Sequence, residues 1–525
     1  MLTQNSSTVL SFFAPRKWLL WIVLVIIFGI GLAIRFYDLT DPPLDFHSTR
    51  QLHSAVMARG MYYQTRTDIP DWQREIAIRQ WKAEGVIEPP FMEWLTAQTY
   101  RLIGNDSLWV ARVYSILFWM AGGVGMFLLA RELAGGMDGA VIALVYFLIL
   151  PYGAQASRSF QPDPLMTSLI IFSYWGLVNW YKRPTWTWTV IAGLLCGLAI
   201  LSKSVAVFFS GAAMVGLVLF SRSIQASGEG KWFNGLRDLL RQVLGDLKIW
   251  VLGILTVLPY GIYHVYGMYI ADFLQSQFSL RFFPQLWIDP VFYLRWNGML
   301  SSVVGFEWFL VALLCTFLVR NRAHRAMLLA SWLGYFAYGL TLSYTISTHD
   351  YYQLPLIPLV ALGLGTGAEL VLRMIKGPKW LLYAVVIGIT LFAVTIKAWD
   401  VRVTLRRMDY HAEVAFWQKL GKKLGPGASV VGLTQDYGMR LAYWGWITPT
   451  NWLTAGDFNV RELAGQKFDI RQVFKEQTAG KDFFLVTMFS ELDNQGELKK
   501  LLYDNYPILE QTDDYIIFDL RHPKS

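Results

Sequence analysis

Long apolar segments recur along the chain and are separated by polar connections. They fall at roughly 18–34, 108–130, 138–152, 164–181, 187–202, 204–220, 248–266, 297–319, 327–346, 354–374 and 380–397. A helix needs about 20 residues to cross the hydrocarbon layer of a bilayer. The pattern therefore predicts a polytopic α-helical membrane protein with about 11 transmembrane helices.

Two polar stretches interrupt this pattern, and the first lies between the first two apolar segments, at about 36–107. Within it, Phe91, Trp94 and Leu95, with Leu102 further on, recur at helical spacing. Such spacing is typical of an amphipathic helix that lies on a membrane surface. We therefore expect the first loop to contain amphipathic helices.

The second polar stretch is the tail, which changes character after about residue 400. Ser429–Leu433, Phe483–Met488 and Tyr515–Leu520 have the composition of short strands, and Glu491–Tyr503 that of a helix. We predict a transmembrane domain at 1–399 and a small α/β domain at 400–525.

Basic residues lie on alternate connections between the apolar segments. Arg16 and Lys17 precede the first segment. The others are Arg131, Lys182, Arg183, Arg222, Lys231, Arg237, Arg241, Lys248, Arg320, Arg322, Arg325, Arg373, Lys376 and Lys379. Because basic connections stay in the cytoplasm, the N-terminus is predicted to be cytoplasmic. An odd number of spans then leaves the first loop and the tail outside.

Composition agrees with a membrane protein, since 54% of the residues are hydrophobic and only 16% are charged. Soluble proteins carry about 25% charged residues. The net charge of +8 is explained by the cytoplasmic connections, so it does not indicate nucleic-acid binding. Both cysteines, Cys196 and Cys315, lie in apolar segments, which predicts neither a disulfide framework nor a cysteine metal cluster.

Candidate chemistry collects on the predicted outer side, first in the loop. Pro42–Gln51 carries Asp45 and Arg50 behind two prolines. Asp45 is either the N-cap of the next helix or a carboxylate held on a rigid turn. In the Glu88-Pro89-Pro90 motif, Glu88 either favours the dipole of the helix that follows or acts as a ligand.

Two later outer connections carry further polar motifs. Arg158 precedes Asp163, which lies between two prolines and is either a helix cap or a functional acid. A His-Asp-Tyr-Tyr motif stands at 349–352, where tyrosines alone would indicate an interfacial belt. Lys203 and His264 fall near outer ends of spans, where a lysine commonly extends its ammonium to the membrane surface.

The chain resembles the GT-C membrane glycosyltransferases, in particular the bacterial branch similar to protein O-mannosyltransferases and the lipid A aminoarabinose transferase. The motifs around Asp45 and Glu88, the Trp109–Arg112 and Arg158–Asp163 segments, the Gly193–Lys203 span, and the 349–352 motif followed by Pro355 and Pro358 carry this resemblance. It implies an inverting glycosyltransferase of the bacterial inner membrane with an extracytoplasmic active site. The implied donor is a polyprenyl-phosphate sugar, and the acceptor is a lipid, glycan or protein hydroxyl.

The resemblance also implies roles for individual residues. Asp45 is the candidate base, and Asp163 is a second acidic group that orients the acceptor or the sugar. The candidate contacts for the lipid phosphate are Arg158, Lys203 and Arg112. The remaining expected substrate-binding residues are Arg50, Glu88, His264, His349, Asp350, Tyr351 and Tyr352.

Glu88 stands where the aminoarabinose transferases carry a lysine, so that phosphate contact is not carried over. Glu88 is instead a candidate metal ligand with His264, or with His349, since carboxylate and imidazole suit Zn or Mn. The mechanism itself requires no cofactor. A polytopic transporter or lipid flippase is the alternative, although inverted repeats typical of transporters are not evident in the sequence.

Overall fold

The computed structural model describes residues 12–13, 16–227, 236–274, 282–374 and 379–524. Of the basic residues predicted to be cytoplasmic, Lys231 and Lys376, and the side chains of Arg222, Arg237 and Lys379, lie outside the described residues. The chain forms two compact units. The membrane unit comprises Met1–Leu39, Val86–Pro89 and Arg112–Arg406, and the loop–tail unit comprises Thr40–Gly85, Pro90–Ala111 and Arg407–Ser525.

The described part of the chain is mostly helical, with one small sheet. The helices are α1 (Lys17–Phe36), α2 (Ser48–Tyr63), α3 (Asp71–Ala83), α4 (Phe91–Ile103), α5 (Trp109–Ala134), α6 (Met137–Ile149), α7 (Pro151–Ala156), α8 (Asp163–Lys182), α9 (Trp186–Ser202), α10 (Ser210–Ser227), α11 (Leu236–Gly245), α12 (Leu247–Val265), α13 (Pro290–Val304), α14 (Phe306–Thr316), α15 (Arg322–Thr341), α16 (Ser343–Thr348), α17 (Leu356–Met374), α18 (Lys379–Arg407), α19 (His411–Leu424), α20 (Met439–Trp444), α21 (Ala455–Leu463), α22 (Ile470–Thr478), α23 (Phe489–Asn494) and α24 (Gly496–Asn505). The strands are β1 (Val430–Leu433), β2 (Thr450–Asn451), β3 (Phe483–Val486), β4 (Ile508–Gln511) and β5 (Ile516–Asp519).

Each predicted span coincides with a helix, or with a pair of helices, in the membrane unit. By length and apolar composition, six described segments could each cross a bilayer, or seven if the bent pair α13–α14 is one span. Two further apolar helices, α6 and α9, are shorter. The predicted fold class is therefore confirmed, while the number of eleven crossings stays a prediction.

The span predicted at 297–319 is in fact broken into α13 and α14, which meet at 84°. Gly305 stands at the break with φ 79° and ψ 128°. A side chain would strain this backbone conformation, which glycine adopts without penalty. The bend therefore has a local cause in the sequence.

The core of the membrane unit lies where α5, α6 and α17 carry fully buried side chains. The ring of Trp119 stacks on Phe147 at a centroid distance of 4.7 Å. On α17, the residues from Leu356 to Leu362 are all buried. Helices in a bilayer associate through close van der Waals packing, so these tightly packed helices give a rigid support to the connections that join them.

The loop–tail unit combines the helices of the first loop with the α/β tail. Its sheet has the order β2-β1-β3-β5-β4, in which β1 is parallel to both β2 and β3. Strand β5 runs antiparallel to β3 and to β4. The small α/β domain is confirmed, and the three predicted strands correspond to β1, β3 and β5. The boundary at 399/400 stays a prediction.

The helix predicted at 491–503 is wrong in one respect, because Gln495 separates α23 from α24. The Gln495 amide accepts a hydrogen bond from Trp452 Nε1 at 2.8 Å and donates one to the Leu453 carbonyl at 3.0 Å. Gly496 follows directly and is a poor helix former. The break thus allows Gln495 to form hydrogen bonds with a distant segment of the chain.

Candidate active site

A buried ion pair stands at the centre of the candidate residues in the membrane unit. Lys203 Nζ lies 2.9 Å and 3.0 Å from the two carboxylate oxygens of Asp163. Both residues are nearly inaccessible to solvent, at 5% and 1% exposure. A charge in such surroundings is tolerated only with a partner, so each residue depends on the other.

Asp163 is not a helix cap, and Lys203 is not a lysine that extends to the membrane surface. Asp163 is the first residue of α8 and follows the N-cap, Pro162, so it is not the cap of this helix. Lys203 does not extend to the membrane surface, since it is buried at the junction between α9 and the 3₁₀ helix Ser204–Phe208. The carboxylate therefore holds the ammonium instead of capping the helix.

Aromatic rings complete the surroundings of the ammonium. Lys203 Nζ lies 4.9 Å from the ring centroid of Tyr351 and 5.2 Å from that of Tyr352. The imidazole of His349 packs against both rings at 5.8 Å and 6.1 Å. A cation over an aromatic face is stabilised by about 0.5–2 kcal/mol. The 349–352 motif is thus more than an interfacial belt.

A buried network of hydrogen bonds fixes the turn that carries these rings. Asp350 opens a 3₁₀ helix, Asp350–Gln353, between α16 and α17. Tyr335 donates to Gln353 Oε1 at 2.8 Å, and Gln353 Nε2 donates to the Ile346 carbonyl at 3.1 Å. Gln353 is fully buried, so these hydrogen bonds hold the turn in one conformation.

Two arginines predicted to bind phosphate lie on the end of the first span. Arg158 Nη2 donates to the Asp38 carbonyl at 2.8 Å, and Arg112 Nη1 donates to the Leu39 carbonyl at 3.3 Å. Both guanidinium groups are buried. They support the chain just before the Asp45 segment, and their role toward phosphate stays a prediction.

Glu88 and His264 both belong to the membrane unit and are partly buried. Tyr263, next to His264, donates to the Ile87 carbonyl at 3.4 Å, so the two segments are neighbours. Among the described residues, the one group of three or more metal-capable side chains includes neither Glu88 nor His264. Zinc takes three or four protein ligands. A metal at this pair therefore stays a prediction.

Asp45 lies in the loop–tail unit, in the turn before α2, and is 9% exposed. Helix α2 begins at Ser48, and its N-cap is His47, whose φ of 45° is left-handed. Asp45 is therefore not the cap of this helix. The Leu44 amide donates to the Pro42 carbonyl at 2.7 Å, which makes the turn tight. Arg50 lies on the first turn of α2.

The structure brings Asp163, Lys203, His349, Tyr351 and Tyr352 together from three connections. The sequence interpretation missed the supporting residues. Tyr335 and Gln353 gave no separate signal, whereas a buried arginine at the end of the first span was visible as a charge within an apolar segment. This arginine, Arg35, donates to the carbonyl of Leu148 at 2.8 Å and to Ser157 Oγ at 2.6 Å.

Comparison with known proteins agrees with this architecture. A sequence profile of the family described as dolichyl-phosphate-mannose-protein mannosyltransferase matches residues 87–233, which is less than half of the chain. No curated protein sequence gives a significant match. The match therefore covers the segments that carry Glu88, Arg112, Arg158, Asp163 and Lys203.

Solved structures match nearly the whole chain. ArnT from Cupriavidus metallidurans bound to undecaprenyl phosphate is 17% identical, with a TM-score of 0.53 over 95% of this chain and 98% of that chain. The oligosaccharyltransferase AglB from Archaeoglobus fulgidus, in complex with an inhibitory peptide and a dolichol-phosphate, is 13% identical, with a TM-score of 0.54 over 96% and 74%. Another structure of the Archaeoglobus fulgidus oligosaccharyltransferase, with Zn and sulfate, gives 13% and 0.50 over 93% and 71%.

The resemblance predicted from the sequence is confirmed by these matches. The chain shares the GT-C fold of ArnT and AglB, and the profile match supports a membrane glycosyltransferase.

Proposed function

We propose that this protein is an inverting glycosyltransferase that moves a sugar from a polyprenyl-phosphate donor to a hydroxyl on the extracytoplasmic face. The observation that carries the proposal is the buried Asp163–Lys203 pair with its tyrosine rings. The undecaprenyl phosphate bound to ArnT and the dolichol-phosphate bound to AglB support a lipid phosphate as the carrier.

Asp45 is the proposed base of the reaction. The acceptor oxygen attacks the anomeric carbon from the face opposite the phosphate, and Asp45 takes the hydroxyl proton as the new bond forms. The bond between the anomeric carbon and the phosphate oxygen breaks, and its electron pair leaves with the lipid phosphate. Attack from the opposite face inverts the configuration.

Lys203 supplies positive charge for the departing phosphate in this proposal. Negative charge develops on the leaving oxygen, and a preorganised cation stabilises it most in a site that excludes water. Asp163 holds the ammonium in place, since both carboxylate oxygens lie within hydrogen-bonding distance of Nζ. Asp163 is therefore proposed as an orienting residue, with Arg158 and Arg112 as further phosphate contacts.

The acceptor is proposed as a lipid, glycan or protein hydroxyl. A structure of the Archaeoglobus fulgidus oligosaccharyltransferase with a tethered acceptor peptide makes a protein acceptor one of the classes to test. No step of this reaction uses a metal at Glu88 and His264. These two side chains offer two ligands, whereas zinc takes three or four from a protein.

The test offers the purified protein a panel of polyprenyl-phosphate sugars and measures the release of free polyprenyl phosphate. Asp45→Asn should lower turnover by at least ~100-fold while donor binding remains, because the amide cannot take the proton. Asp68→Asn is the matched control: Asp68 lies in the same loop, is 62% exposed and pairs with Arg66.

Release from none of the donors by the wild-type protein would contradict the proposed function and favour a transporter. Near-normal transfer by Asp45→Asn would leave the function in place but remove Asp45 as the base.

A further inference from the structure

Two contacts from the tail bracket the Asp45 turn within the loop–tail unit. On one side, the Tyr410 amide donates to Asp41 Oδ1 at 2.8 Å. On the other, the hydroxyls of Ser48 and Thr49 donate to Asp436 Oδ1 at 2.5 Å and 3.2 Å. Asp45 lies between these two points, so the tail fixes the turn at both ends.

Asp436 is held in place by an ion-pair chain within the tail. Arg440 Nε lies 2.5 Å from Asp436 Oδ2, and Arg440 Nη1 lies 2.9 Å from Glu413 Oε2. Trp417 Nε1 also donates to Glu413 Oε2, at 2.7 Å. The Asp436 side chain is 12% exposed and that of Arg440 is 13% exposed, so solvent screens the pair little.

The backbone around Asp436 is strained, which fits a fixed connection. Asp436 and Tyr437 both adopt left-handed φ angles, of 53° and 54°. For a bulky residue such as tyrosine this conformation is a true outlier. Such strain persists only where the surrounding contacts determine it, and here those contacts include the hydroxyls at the start of α2.

A third contact lies on the same stripe of α2, three turns further along. Arg59 is 2% exposed and donates to the backbone carbonyls of Tyr443 and Ala442 at the end of α20. Its guanidinium lies 4.2 Å from the ring centroid of Tyr443 and 4.1 Å from that of Trp446. Residues eleven apart share one face of a helix, so Ser48 and Arg59 attach one stripe of α2 to the tail.

We propose that Asp436 and Asp41 are positioning residues that hold the Asp45 turn in its reactive geometry, and that this is what the tail contributes to the reaction. The inference rests on the proposed function, since it assumes that Asp45 is the base. Tyr410 lies at the middle of this arrangement. Burial raises the pKa of its phenol, the carboxylates of Asp45, Asp41 and Asp436 raise it further, and Arg440 lowers it.

The experiment compares Ser48→Ala/Thr49→Ala with Asp436→Ala and with the triple variant, using the full-length enzyme. A misplacement of about 1 Å in a catalytic group can cost ~100-fold in rate. We expect kcat to fall at least ~10-fold in each variant, with the donor KM little changed. Because all three variants break the same contact, the triple variant should be no slower than Asp436→Ala.

Two controls separate positioning from general stability. Ser48→Thr keeps the hydroxyl, so its kcat should stay close to that of the wild-type protein. Asp482→Ala removes an acceptor of the Ser429 amide, at 2.8 Å, and so perturbs the sheet without touching α2. It should leave kcat unchanged. An equal loss of kcat in Asp482→Ala would overturn the proposal, because the effect would then be one of stability.

Hydrogen exchange of the peptide 42–51 gives a readout that does not depend on catalysis. The variants should exchange about ten- to a hundredfold faster there, as expected for loss of a hydrogen bond to a charged group. Unchanged exchange, or faster exchange with unchanged kcat, would overturn the positioning role. If the wild-type protein transfers no sugar, the proposed function fails, and exchange alone decides whether the tail supports the turn.

Discussion

Removing one partner of the Asp163–Lys203 pair should be far more damaging than removing both. The side chains are 1% and 7% exposed, and both oxygens of the carboxylate contact the ammonium. Deleting one partner of such a pair leaves a buried charge without compensation, at a cost of about 3–5 kcal/mol. Asp163→Asn and Lys203→Met should each lose about this much unfolding free energy.

The two single variants should not be equal, because the tyrosine rings treat the two charges differently. In Asp163→Asn, the remaining ammonium still lies over the faces of Tyr351 and Tyr352. These faces contribute about 0.5–2 kcal/mol to a cation and nothing to an anion. Lys203→Met should therefore be the less stable variant by about 1 kcal/mol.

The double variant, Asp163→Asn/Lys203→Met, should recover most of the lost stability, since no unpaired charge remains and methionine fills much of the lysine volume. Chemical unfolding in detergent micelles, followed by tryptophan fluorescence, measures all three. Lys182→Met is the control, because Lys182 pairs with Glu132 at the surface, where the side chains are 41% and 29% exposed. It should cost less than about 1 kcal/mol.

Equal losses in Lys203→Met and the surface control would refute the reasoning, since the pair would then behave as if solvated. A double variant as unstable as the sum of the two singles would refute it as well. In that case the two charges would stabilise the fold independently of each other.

Two further predictions concern the loop–tail unit. Burial raises the pKa of the Glu84 carboxyl from 4.5 to about 7, so the stability that this group contributes is fully present below pH 4.5 and is lost as the pH rises through 7. Glu84→Gln should thus gain about 3 kcal/mol of unfolding free energy at pH 8 and nothing at pH 4, measured by unfolding at both pH values. For topology, a single cysteine at the exposed Ser490 should react with a membrane-impermeant thiol reagent in intact cells, and one at the exposed Pro184, on a predicted cytoplasmic connection, should not. The opposite labelling pattern would contradict the prediction and indicate the reverse orientation in the membrane.

The helices of the membrane unit were accessible from the sequence because length and hydropathy are local properties. The same holds for β1, β3 and β5, which alternate with turn signals. The break at Gln495 was not accessible, since it depends on hydrogen bonds to Trp452 and Leu453 some forty residues away. The edge strand β2 has only two residues, too few for any periodicity.

The candidate site shows the same division. Asp163 and Lys203 each carried a signal as a charge near the end of a span, and each had a plausible local role as a cap or a surface lysine. Their pairing joins residues forty positions apart, which no local pattern reports. The contact between Ser48 and Asp436 joins residues 388 positions apart. The contact of the tail with the Asp45 turn could therefore not be predicted from the sequence.

The pairing also separates the two candidate acids chemically. A carboxylate can take a proton from an acceptor hydroxyl only through an oxygen lone pair that is directed at the substrate. Both oxygens of Asp163 lie within 3.0 Å of Lys203 Nζ, so protonation there would also weaken a buried ion pair. This cost makes Asp163 a poor base and a good anchor for the ammonium. We therefore propose the base on the Asp45 turn, and support of that turn by the tail should then affect the rate.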